Sequence, residues 1–198
     1  MPWRHINHLY PQVQSVNCVV RLAPMSDASN SNFQPGFDDL WRANEDYANT
    51  FKYSELTGRA ARGLAIVTCM DSRINPLSVV GMKSGDAKIL RNAGARVTED
   101  VLRTLVLATY LLGVDRILVM PHTDCRMAQE DEEVIHAMIE KQHGVDTRSL
   151  EFNTVIDQRA ALSRDLARIR AFPLLPKSVV VSGGIYDVAT GKIEPIEN

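Results

Sequence analysis

Residues 63–69 read GLAIVTC, and the chain runs on as MDSR to Arg73. The run has no polar alternation and is rich in β-branched residues, so it reads as a strand covered on both faces. Parallel sheets require that pattern, whereas half-solvated antiparallel strands alternate. Three later stretches repeat it: KILRN at 88–92, RILVMPH at 116–122 and KSVVVSG at 177–183. Helices with readable ends lie between them. Thr98 caps one, with Glu99 and Asp100 in its first turn and Gly113 as its stop. A second is expected from Met127 to His143, ended by Gly144. A third starts near Thr154, with Asp157 completing a capping-box-like pattern, and stops before Pro173. Strands alternating with helices predict a single α/β domain. Its mostly parallel central sheet has four strands and helices on both faces. IYDVATGKIEP, 185–195, adds a terminal hairpin or edge strand.

Upstream, Phe37, Leu40, Trp41, Tyr47, Ala48 and Phe51 share one helical face, interrupted by Asn44, while Asp38, Asp39, Glu45 and Asp46 face away. So much apolar surface on an N-terminal helix is expected to pack on a partner subunit. Residues 1–36 read as a disordered extension before a domain spanning 37–198. Met25 opens a polar leader, MSDASNSN, and is an alternative start.

A net charge of -2 over 198 residues, with no block of Lys or Arg, argues against nucleic acid as a partner. The apolar runs fall well short of the ~20 residues that span a bilayer, so no membrane association is expected. Three cysteines, Cys18, Cys69 and Cys125, are too few and too scattered for a disulfide framework. With no secretory signal in residues 1–24, the expected location is the cytoplasm. Dinucleotide fingerprints, phosphate-binding loops and the G-x-S-x-G elbow are all missing from the sequence.

The polar residues at strand ends carry the chemistry. Cys69 closes the first strand, His122 ends the third, and Cys125 follows in PHTDC. Open α/β sheets bind ligands at the carboxyl ends of strands where strand order reverses. If the first and third strands are neighbours there, two thiols and an imidazole converge. They make a good zinc donor set, and three protein ligands leave the fourth tetrahedral position open for catalysis. Each motif alone has a plainer reading: a strand-end cysteine is usually a small buried hydrophobe, and D-S-R is usually a turn.

CMDSR followed by PHTDC resembles the β-class carbonic anhydrases, whose pattern is C-x-D-x-R and then H-x-x-C. The likeness extends to RNAG at 91–94 and YDVATGKI at 186–193, covering residues 41–196. It implies one zinc per chain on Cys69, His122 and Cys125, with Asp71 and Arg73 as a catalytic dyad. It also implies reversible hydration of carbon dioxide to bicarbonate by hydroxide on zinc, in a homodimer or dimer of dimers. In that family the Asp can leave the Arg and occupy the fourth zinc position, which predicts activity rising toward alkaline pH. The same zinc site in related enzymes hydrolyses carbonyl sulfide or carbon disulfide, the alternative here; a non-enzymatic zinc or redox-sensing module is a third reading. Arg126 stands where the family usually has Gly, either at the pocket mouth or folded onto the surface. Arg91, Asn92 and Gly94 are implied as pocket wall or dyad support. Asn75 and Pro76 read as the cap and first residue of a short helix. His136 and His143 are expected to be solvated, and Cys18 has no partner motif.

Overall fold

Strand β1 (Leu64–Cys69) is buried along its whole length because it runs between two parallel neighbours. β2 (Ala87–Asn92) lies on one side and β3 (Arg116–Met120) on the other. β4 (Val180–Tyr186) pairs parallel with β3, and β5 (Ile193–Pro195) returns antiparallel on β4, giving the order β2-β1-β3-β4-β5. The expected four parallel strands and terminal edge strand are therefore present. The chain steps from β1 to β2 on one side and then to β3 on the other, so strand order reverses at the β1/β3 boundary. This computed structural model describes residues 36–196. The 1–36 extension, apart from Gly36, and Cys18 lie outside the described residues.

Helices α3 (Glu99–Leu111) and α5 (Gln158–Ala171) cover one face of the sheet. Leu102, Leu105, Leu162, Leu166 and Ile169 pack there against Ala65, Val67, Ile117 and Val119. On the opposite face Leu64, Ile66 and Met120 pack with Ile74, Val79 and Met127, contributed by the short α2 (Pro76–Val79) and nearby turns. Asn75 accepts from the Ser78 backbone as a true cap, with Pro76 following. Thr98 does the same for α3 through the Val101 N–H.

Two helix boundaries differ from expectation. The third long helix begins at Gln158, not near Thr154. Asn153 adopts a left-handed φ of 58°, and the Val155 N–H pairs with the Met127 carbonyl, so 153–156 cannot join the helix. Asp157 is itself the cap, accepting from the Ala160 N–H. The expected Met127–His143 helix is split into a 3-10 turn, Arg126–Ala128, and α4 (Glu132–His143). Gln129 turns its side chain back to Asp124 at the break.

The chain divides into Met1–Phe51 and Lys52–Asn198. The first unit contains α1 (Asp38–Asn49), an amphipathic helix with no buried residue. Phe37 stacks on Trp41 and Tyr47 meets Phe51 edge-on, so its aromatic face is ordered into pairs.

Candidate metal centre

The ligand atoms of Cys69, His122 and Cys125 all lie within 4.8 Å of one another, and all three residues are buried. Strand ends explain the convergence. Cys69 is the last residue of β1, level with Asn92 of β2. Past β3 the chain stays in line with β4: the Tyr186 N–H donates to Pro121 O, and Thr123 N–H donates to Tyr186 O. His122 is thus held in a bridge to Tyr186, and the Gln158 amide donates to its carbonyl at 2.8 Å. A left-handed Asp124, φ 52°, then turns the chain so that Cys125 faces back, its sulfur 4.0 Å from that of Cys69.

Nδ1 of His122 lies 2.8 Å from the Thr123 carbonyl, which can only accept, so Nδ1 carries the proton. Nε2 is buried without a hydrogen-bond partner among the described residues. A buried lone pair aimed beside two sulfurs fits a metal ion of the kind bound by thiolate and imidazole. The two sulfurs, 4.0 Å apart, lie within reach of a weak S–H···S bond in which either can donate. That contact lowers the Cys69 pKa to about 3 against the effect of burial, with backbone N–H groups acting in the same direction. The Cys125 pKa rises, first through the same contact and then because it is buried.

Asp71 and Arg73 meet beside this cluster. The Arg73 Nε and Nη2 donate to the two carboxylate oxygens of Asp71 at 3.0 and 2.8 Å, and the Arg73 backbone N–H adds a third bond at 2.9 Å. These bonds hold the Asp71 carboxyl below the usual carboxylate range. Asp71 Oδ2 lies 3.8 Å from His122 Nε2, so the carboxylate borders the cluster while resting on Arg73. Met70 and Ser72 are exposed and make no bond to the cluster, while Cys69, Asp71 and Arg73, on alternate positions, meet at this corner. Arg91 braces the same loop, donating to the carbonyls of Cys69 and Asp71 at 2.8 and 2.6 Å. Asn92 bridges the backbone N–H and carbonyl of Arg96. Gly94 has φ 76°, and a Cβ there would come within 3.2 Å of Met127.

The chain matches the carbonic anhydrase family over residues 64–193. β-Carbonic anhydrase 1 of Mycobacterium tuberculosis is 36% identical over 160 residues, 80% of this chain and 96% of that protein. The chain belongs to the β-carbonic anhydrase family. Within this β-carbonic anhydrase fold, the crystal structure of carbonic anhydrase from Streptococcus mutans superposes with a TM-score of 0.77 at 35% identity, covering 83% of this chain and 99% of that one. A carbon disulfide hydrolase of Saccharolobus solfataricus is 32% identical over 157 residues, 67% of this chain and 76% of that protein.

Two features of this family member lie outside the sequence reading. Arg73 also bonds Asp124, through Nη1 to the carboxylate at 2.7 Å and Nη2 to the carbonyl at 3.1 Å, and Gln129 donates to the other Asp124 oxygen at 3.0 Å. Asp124, a carboxylate one residue before the candidate ligand Cys125, was a visible signal; nothing marked Gln129. Second, His136 is not solvated. It bonds Thr147 at 2.8 Å and lies against the Phe152 ring, whereas His143 is exposed as expected. Arg126 takes the surface alternative, reaching Gln129 at 3.3 Å and lying 3.9 Å from Glu130. No helix among the described residues is long and apolar enough to cross a membrane.

Proposed function

We propose that the chain reversibly hydrates carbon dioxide to bicarbonate and a proton, with one zinc held by Cys69, His122 and Cys125. The carrying observation is the buried, unpartnered His122 Nε2 beside two sulfurs, with a carboxylate on its rim. Bound there, zinc would lower the pKa of a water toward neutrality and supply a hydroxide nucleophile, less strongly than with three imidazoles because two thiolates offset its charge. Asp71 is the orienter. Its carboxylate accepts the hydrogen of the attacking oxygen, so that a lone pair of that oxygen points at the substrate carbon. Arg73 keeps Asp71 ionised and in place through two charge-assisted bonds. The product proton leaves to solvent along this half-exposed rim.

Carbon disulfide hydrolysis is the second reading, favoured by the carbon disulfide hydrolase relative at 32% identity. A sulfur-for-oxygen change in a linear substrate is a modest difference for a pocket to discriminate. We infer a homodimer or dimer of dimers, because α1 is amphipathic and none of its residues is buried, and the cytoplasm is the location we assign to it. Stopped-flow hydration of carbon dioxide, run beside carbonyl sulfide and carbon disulfide assays on zinc-loaded protein, tests the substrate. About one zinc per chain is expected. Replacing Cys125 by Ala should remove most of the metal and the activity together; full retention of both would refute the ligand assignment.

A further inference from the structure

We propose that Asp124 is a positioning residue for the Arg73–Asp71 pair, fixing the outer side of the Arg73 guanidinium so that its inner side stays on Asp71. The inference rests on the proposed function only for the activity it predicts; the geometry stands apart from it. A guanidinium has five N–H donors in a rigid plane. Here Nε and Nη2 reach Asp71 while Nη1 and Nη2 reach the carboxylate and carbonyl of Asp124. With Arg73 half exposed, water competes for each of those donors, and two bonds to Asp71 alone would leave the side chain free to swing outward. Binding on both sides removes that freedom.

Asp124 is itself held. Its left-handed φ of 52° turns the carbonyl and side chain toward Arg73, and Gln129 occupies the carboxylate oxygen that Arg73 does not use. Gln129 in turn accepts from Arg126 at 3.3 Å. The hydrogen bonds therefore run in one line from Arg126 through Gln129, Asp124 and Arg73 to Asp71.

The test uses Asp124→Gly, which tolerates the left-handed backbone and removes the carboxylate, and Asp124→Asn, which keeps the shape and an acceptor. Asp124→Ala is avoided because Ala would add strain at that φ. Hydration kcat/KM should fall about tenfold in Asp124→Gly, with zinc content and thermal midpoint held, and Asp124→Asn should restore most of it. In an Arg73→Ala background Asp124→Gly should cause no further loss, since a residue acting through Arg73 has nothing left to position. An equal loss in that background, or an Asn variant as impaired as Gly, would overturn the proposal. A crystal structure of Asp124→Gly gives a readout independent of activity. Arg73 turned away from Asp71, or split between conformers, is expected, and Arg73 unmoved on Asp71 would overturn the proposal. If the natural protein instead fails to hydrate carbon dioxide, the functional reading fails, while that structure still decides the positioning role.

Discussion

Two Arg–Asp pairs of similar geometry sit near the Cys69–His122–Cys125 cluster and differ in how deeply they are buried. Arg96 bonds Asp165 through Nε at 2.8 Å, with side chains 18% and 7% exposed; Arg73 bonds Asp71 through Nη2 at 2.8 Å, with 47% and 19% exposed. Asp165 also accepts from the Val97 N–H, and Arg96 also donates to the Asn153 carbonyl. The buried pair therefore joins α5 to the segment after β2 and to the loop before α5. Around Arg73 the solvent is at hand and the bonds close only onto site residues. Depth, not bond length, separates the buried pair that joins parts of the fold from the exposed pair to which we assign the aiming of a side chain.

The sharpest break of this comparison is Asp165→Ala. It leaves a nearly buried guanidinium uncompensated, and a loss of about 3–5 kcal/mol in urea unfolding is expected. Asp71→Asn should do the reverse, lowering hydration kcat/KM about a hundredfold while zinc content stays full. A variant that lost zinc or unfolded instead would place Asp71 with the structural pair.

Acid titration sharpens the contrast with a smaller effect. Arg73 lowers the Asp71 carboxyl below its unfolded value, so the native state binds fewer protons there over the window between the two values. The stabilisation is fully present above about pH 4, the unfolded carboxyl value, and is lost as pH falls through the lowered native value. The stability gap between the natural protein and Asp71→Asn should therefore be small at neutral pH, given the exposure of the pair, and vanish in strong acid. A gap that widened on acidification would contradict the assigned direction. The smallest effect is expected for Arg126→Gly, which restores the residue usual in the family. Arg126 reaches the dyad only through Gln129 and Asp124, so kcat/KM should change by no more than about twofold.

How much of this was legible in the sequence follows the same division. The strands were legible because burial on two faces leaves an uninterrupted apolar run, Cys69 and His122 because they close such runs, and Cys125 because it follows His122 within one short turn. The caps at Asn75 and Thr98 were legible because a single side chain satisfies its own helix end. The start of α5 was not, since a left-handed Asn153 and a long-range bond to Met127 override a local capping pattern. The contact between Arg73 and Asp124, 51 positions apart, was also hidden. Proximity there arises from β1 and β3 lying side by side, which residue spacing does not encode. The solvent exposure of His136 was misjudged for a related reason: Thr147 and Phe152 fold back over α4 from a loop without periodic pattern.

One arrangement at the end of β2 bears on how the site could be disturbed. Arg91 fastens the carbonyls of Cys69 and Asp71 to the outermost strand of the sheet, and the Met70 N–H is tied to Asn92 O of the same strand. Arg73, by contrast, is moored through Asp124 to the turn that follows β3. The loop backbone is thus tied to β2, while the outer side of the guanidinium is tied to the turn after β3. A small shear between those two strands would drag the Arg73 side chain across Asp71, even though the bond from the Arg73 N–H to the carboxylate, internal to the loop, survived.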